Sequence, residues 1–183
     1  MMGVLNHLST LLLLSLLPPA LSDVVNRFNP LCQKFFLEGT TPNLPGILVN
    51  GTVQNQDQDR YKLICQKYNN TYRFATLYDT ENKIPVFSAY TFTGTSTDPL
   101  SNTNTSCRKS HSWMIEPELE LDMKHRKVVN NQAVDTDYKN NKMNMHKGHL
   151  FPCSYVPDND TRRSTFTQTP FPRTSHGTKA DGG

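Results

Sequence analysis

The sequence predicts an α+β domain organised around an antiparallel sheet. Tyr61, Leu63 and Cys65 alternate with Lys62, Ile64 and Gln66, a period of two. Asn69-Asn70 then supplies turn chemistry, and Tyr72, Phe74, Thr76 and Tyr78 resume the alternation beyond it. Helical spacing is scarce, its best instance being Ala133, Val134 and Tyr138 in a short segment from Asn131. A chain of 183 residues suits one domain. Only 36% of it is hydrophobic, and a disproportionate part lies in the first 22 positions, so the core must be lean. With 9 Gly and no sustained heptad period, collagen and coiled-coil rods are excluded. A net charge of +3 does not by itself indicate nucleic acid.

Taken in order, the chain opens on an export signal. Leu11 to Leu17 form an apolar run broken only by Ser15, followed by Pro18-Pro19-Ala20-Leu21-Ser22. Ala20 and Ser22 supply the small residues that a signal peptidase requires before its cleavage point. The run is too short to span a bilayer, so residues 1–22 are read as a signal peptide and the mature, secreted chain begins at Asp23. No later stretch approaches the ~20 apolar residues of a span, so no membrane partner is expected once the signal is removed.

The sheet follows. Asp79-Thr80-Glu81-Asn82 marks a second turn, and Ile84 to Phe92 is a third β-rich run. Pro85, near its start, suits an edge or first-residue position where no ladder donor is lost. Three strands joined by short turns make one sheet whose aromatic face needs cover. Thr93 to Lys109, rich in Thr, Ser and Asn, is expected as a surface loop, and Lys124-His125-Arg126-Lys127 as a solvated basic turn. Pro170, Pro172, Gly177, Gly182 and Gly183 punctuate a polar tail, residues 170–183, expected to be disordered and without any element.

Cys32, Cys65, Cys107 and Cys153 agree with an oxidising compartment. They contain no CxxC pair, so zinc is not expected, and two disulfides have three possible connectivities. Sequons at Asn50, Asn69, Asn104 and Asn159 suit an exported glycoprotein, although such triplets are frequent in an Asn- and Thr-rich chain.

Several further motifs stand in one order. They are YKLICQKYNNTYRFATLYDTENKIPVFSAYTFTG from Tyr61 to Gly94, Trp113-Met114-Ile115-Glu116-Pro117, Gln132-Ala133-Val134 and Asp137-Tyr138-Lys139-Asn140. Gly148-His149-Leu150-Phe151-Pro152-Cys153 and Ser164-Thr165-Phe166-Thr167 complete them. Together they resemble the endonuclease domain-containing group of the DNA/RNA non-specific endonuclease family, from about Cys32 to Thr169. The resemblance implies a ββα-metal fold, with residues 23–169 a partial nuclease domain.

It also implies a mechanism. In that family an Asp-Arg-Gly-His signature carries a histidine general base, and one divalent metal, Mg²⁺ or another, binds the scissile phosphate of DNA or RNA. A neutral imidazole can take a proton from water near pH 7, and a metal offsets the charge building on the phosphoryl oxygens. Gly148 and His149 match the signature, which makes His149 the catalytic candidate. His146 and Lys147 replace its Asp and Arg; Lys147 keeps the charge but loses the bidentate fork. Lys83 likewise stands where relatives often carry Arg. Lys147, Arg162 and Arg163 are the phosphate-binding candidates, with Arg162-Arg163 equally readable as an exposed pair in a solvated loop beside Asp158 and Asp160.

The metal ligand is unassigned. Relatives follow Thr-Phe-Thr with Leu-Thr-Asn and a helix bearing an Asn ligand and a Glu. Here Gln168 and Pro170 stand in that place, no Asn follows Asn159 and no Glu follows Glu120, so the domain reads as C-terminally truncated and its sheet as incomplete. Gly148 argues against a helix on which His146 and His149 would chelate a metal, and a site from these two with His176 is not expected. Two functions fit: an exported metal-dependent nuclease of impaired activity, or a non-catalytic extracellular glycoprotein that binds nucleic acid weakly.

Overall fold

The alternating segment forms the middle of an antiparallel sheet, as its period requires. The computed structural model describes residues 22–28, 30–93, 113–120, 129–139, 145–152, 155–166 and 170–172. Eight strands are named in chain order: β1 (Ser22–Val25), β2 (Leu48–Val49), β3 (Thr52–Val53), β4 (Tyr61–Tyr68), β5 (Thr71–Asp79), β6 (Ile84–Ala89), β7 (Met145–Lys147) and β8 (Pro170–Pro172). Among the described residues two short helices join them, α1 (Asp135–Tyr138) and α2 (Asn159–Ser164), with single 3₁₀ turns elsewhere. The main sheet has the order β1-β4-β5-β6 and is antiparallel throughout. The pairs β2-β3 and β7-β8 stand apart from it. Few helices and antiparallel sheets make the architecture α+β. Among the described residues no helix is long and apolar enough to cross a membrane.

Turn chemistry sets the register. Tyr68 pairs with Thr71 across Asn69 and Asn70, whose φ angles of 48° and 58° are those of a two-residue hairpin turn. Asn50 and Gly51 close the β2-β3 hairpin in the same way, at φ 51° and 73°. A Cβ on Gly51 would sit 3.2 Å from the Thr41 hydroxyl, so the position is confined by space as well as by φ. Asp79 organises the turn into β6. Its carboxylate accepts from the Glu81 and Asn82 amides at 3.0 Å each and from the Arg60 guanidinium at 2.7 Å. Burial opposes that charge, but the Arg60 side chain and the Asn82 donors outweigh it and hold the carboxyl below its ordinary value.

Four expectations need correction. The sheet has four strands rather than three, because β1 pairs with β4 through Asp23↔Cys65, Val24↔Ile64 and Val25↔Leu63. Its centre is not left open. Leu63, Cys65, Ala75 and Leu77 pack with Phe28, Cys32, Phe36, Leu48 and Val53 on one face. On the other face Ile64 and Tyr78 pack with Leu119, and Phe74 with Leu150, Phe151 and Val156. Exposure falls instead on the edge strand β6, where Val86 is 41% exposed. The segment from Asn131 is helical only over α1, one turn. Finally, Pro170–Pro172 is not structureless, since β8 pairs with β7 through Met145↔Pro172, His146↔Phe171 and Lys147↔Pro170. Proline suits such a short outer strand, where a missing donor disturbs little.

One disulfide, Cys32–Cys65, fastens the segment after β1 to the sheet at a Cα separation of 5.7 Å. Cys107 and Cys153 lie outside the described residues, as do most of the loop expected from Thr93 to Lys109, the basic run 124–127 and the tail 173–183. Phe28, Phe36 and Phe87 meet above the disulfide, with ring centroids 5.0 to 6.3 Å apart. Each large apolar side chain buried there is worth about 1.5–3 kcal/mol.

Candidate functional site

His149 stands two residues beyond β7, and the segment after it is anchored on the sheet. Phe151 meets Phe74 edge-on at 6.3 Å and stacks on Tyr90 at 3.8 Å, both contacts with the meander or its immediate continuation. The histidine is half-buried between two rings. Trp113 lies 5.1 Å from it and Phe166 meets it edge-on at 4.6 Å. Phe166 and Trp113 are themselves held together, because the Met114 amide donates to the Phe166 carbonyl at 2.8 Å.

Helix α2 decides how the imidazole is protonated. Asp158 caps the helix, accepting from the Thr161 amide at 2.7 Å, and Thr165 ends it. His149 Nδ1 lies 2.9 Å from Thr165 Oγ1 and 3.2 Å from the Thr165 carbonyl oxygen. The Thr165 hydroxyl directs its own proton to the Arg162 carbonyl at 2.8 Å. Both Thr165 atoms therefore face Nδ1 as acceptors, so Nδ1 carries the hydrogen. Nε2 is left with the lone pair. Burial lowers the imidazole below its ordinary value, and the Thr165 carbonyl opposes the shift only in part. A neutral ring with a free Nε2 lone pair can accept a proton from water.

The three basic candidates are placed differently. Lys147 ends β7 and is tied to the Asp135 carboxylate, with its ammonium 5.7 Å from the Trp113 ring and 5.5 Å from the Tyr138 ring. It braces α1 against the tryptophan that flanks His149. Arg162 and Arg163 are not a loop pair but lie on α2. Arg162 is buried, 9% exposed, and donates to the Asn159 side chain at 2.6 Å. That departs from the expected exposed pair, because a helix puts successive residues on different faces. Arg163 is exposed. The helix also meets the sheet through a cation, since Arg73 of β5 reaches Asp158 at 3.1 Å and Asp160 at 3.5 Å.

The described surroundings of His149 do not fit a divalent metal. No three His, Cys, Asp or Glu side chains converge among the described residues. The groups around the imidazole are two aromatic rings and one threonine, none of them a hard-cation donor set. Asp135, the carboxylate nearest in role, is engaged by Lys147.

Sequence reasoning did not assign roles to Trp113, Asp135 or Thr165. Trp113 and Thr165 stood in two of the motifs, Trp-Met-Ile-Glu-Pro and Ser-Thr-Phe-Thr, but only the fold brings both to His149.

Comparison with known proteins gives one similarity. The chain is 29% identical over 152 residues to the human Endonuclease domain-containing 1 protein. The match covers 75% of this chain and 26% of that protein, so the chain spans about a quarter of its relative's length. No family model matches the chain. No solved structure matches it either.

Proposed function

We propose that this chain is an exported, nuclease-like protein in which His149 keeps the posture of a general base for phosphodiester hydrolysis of DNA or RNA, at reduced activity. The observation carrying the reading is the bond from His149 Nδ1 to Thr165, which leaves Nε2 unprotonated and the ring neutral. Similarity to a protein named for an endonuclease domain supports the substrate class.

Reduced activity is supported by the altered signature. Lys147, where relatives carry Arg, is engaged by Asp135, Trp113 and Tyr138 and so is not presented as a fork to phosphate. A positioned base alone contributes about 10²–10⁴-fold. Mg²⁺ or another divalent ion belongs to the proposal through the resemblance alone, and no step is assigned to it. Weak, salt-sensitive contact with nucleic acid falls to exposed Arg163. Export is supported by the Leu11–Ser22 segment and by the exposure of Asn50, Asn69 and Asn159, each in a sequon.

The non-catalytic alternative is favoured by the same engagement of Lys147 and by the burial of Arg162. Secreted protein and its His149→Ala variant, incubated with supercoiled plasmid and Mg²⁺, separate the two. Slow nicking by the parent alone is the expected result. Equal inactivity of both chains establishes the non-catalytic reading.

A further inference from the structure

Three carboxyl groups gather around β1, and among the described residues one meets neither a counter-charge nor a closing donor. Asp23 accepts from the Tyr72 hydroxyl and lies 3.6 Å from the Lys67 ammonium. Glu118 accepts from the Val24 amide at 2.6 Å. Glu116 is 1% exposed, and no donor closes on either of its carboxyl oxygens with good geometry. The Ser22 hydroxyl, itself buried, and the Glu118 amide lie against that carboxyl as weak neighbours. The Glu116 backbone is fixed on both sides by Gln132, whose side chain accepts from its amide at 2.5 Å and donates to its carbonyl at 2.8 Å. A buried carboxyl held this firmly and left unpaired is costly, unless it is protonated or meets a cation.

We infer that cleavage after Ser22 delivers that cation: the new α-ammonium of Asp23 pairs with the buried Glu116 carboxylate and pins β1 into the sheet. The inference rests on the export reading. By covalent geometry the Asp23 nitrogen lies within roughly 3–4 Å of the place the Ser22 hydroxyl occupies. Removing Ser22 vacates that place, and hydrolysis of the Ser22–Asp23 peptide bond turns the amide into an ammonium with three donors. One ammonium, Lys67, then becomes two against the three carboxyls. The mechanical consequence falls on an edge, since β4 is the strand that β1 pairs with in the described sheet and β1 would keep three residues after cleavage. Short terminal strands fray unless tied. Leader removal thus completes the fold at the position where it cuts the chain.

The pair removes a pH dependence. With Ser22 retained, burial chiefly, with Glu118 and Asp23 adding repulsion, pushes Glu116 up to about 7. A raised carboxyl loses its contribution to stability as pH rises from its unfolded value through 7. Facing an ammonium it is depressed instead, and its contribution, fully present above its unfolded value, stays constant across the same range. The groups facing it are Ser22, Glu118 and Asp23, with Tyr72 and Lys67 behind Asp23.

The test uses the secreted protein, its first residue identified by mass spectrometry. The α-amine is acylated at neutral pH in the native state, in urea with disulfides intact, and in native Glu116→Gln. Acylation at least tenfold slower in the native protein than in urea, and largely restored by Glu116→Gln, is expected. Should Glu116→Gln fail to fold, melting of the parent from pH 5 to 7.5 is compared with a chain carrying one alanine inserted before Asp23. The parent should hold its stability across that range and the extended chain lose it as pH rises. A first residue of Asp23 with equal native and urea rates overturns the pair and leaves export intact. A secreted chain beginning elsewhere overturns the processing reading and the pair together.

Discussion

His149 Nδ1 lies 2.9 Å from Thr165 Oγ1, and the hydroxyl proton of Thr165 points on to the Arg162 carbonyl at 2.8 Å. A residue at the C-terminal end of one short helix thereby fixes the tautomer of a histidine 16 positions earlier in the chain. The consequence is chemical. Only the Nδ1–H tautomer presents a basic Nε2, and a hydrogen-bonded partner on the opposite nitrogen is what selects it.

Thr165→Val keeps the side-chain shape and removes both bonds. Thr165 is fully buried, so the Arg162 carbonyl loses a donor and Nδ1 keeps only the carbonyl acceptor at 3.2 Å. A stability loss of about 1–3 kcal/mol is expected from urea unfolding, with Thr165→Ser recovering most of it. Plasmid nicking should fall with Val and return with Ser. Loss of nicking in the Ser variant as well would show that the hydroxyl does not set the tautomer.

Lys147 offers a test of charge held in reserve. Its ammonium is tied to Asp135 and lies near two rings. Asp135→Asn should release it, raising DNA affinity several-fold at low salt and steepening the salt dependence by about one released counterion. Lys147→Met keeps an apolar stem against Trp113 and Tyr138, and should leave DNA binding as it is in the parent. Fluorescence anisotropy at two salt concentrations reads both. Unchanged affinity in Asp135→Asn would remove Lys147 from the phosphate-binding set.

Much of the sheet was legible in the sequence, and the reasons are local. Asn69-Asn70 between two alternating runs dictates a hairpin, and residues 61–79 form it. The apolar Ile64, on the opposite face from Leu63 and Cys65, already signalled that both faces would be covered. Asn50-Gly51 between Val49 and Thr52 was an equally good hairpin signal, read there only as a sequon. Strand β1 was hidden because Ser22 was assigned to the export segment, and edge pairing with β4 is a non-local event. At the site, His149 was legible through its glycine and flanking motif. Thr165 was not, because a tautomer depends on an atom brought close by folding. Arg162 was read as exposed for want of the helix that Asp158 caps; Asp158-Asn159-Asp160-Thr161 carried that cap signal.

The Cys32–Cys65 bridge closes a 33-residue separation and ties the Phe28–Phe36 cluster to β4. Replacing both cysteines by serine should cost about 3–4 kcal/mol, most of it through the greater freedom of the unfolded chain. The urea midpoint of the double variant should therefore fall well below that of the parent. A midpoint unmoved by the substitution, or by reduction of the parent, would contradict the pairing.

The state of the His149 ring is open to direct measurement by long-range ¹H–¹⁵N NMR of the histidine side chains, assigned with His149→Gln. Near pH 7 the resonances should show a neutral ring with hydrogen on Nδ1, and titration should fall below the ordinary value of 6.5. A depressed histidine stabilises the fold above its unfolded value and loses that contribution as pH falls through its folded one, so the parent should weaken on acidification more than His149→Gln. Hydrogen on Nε2, or a titration above 6.5, would contradict the assignment of His149 as a poised base.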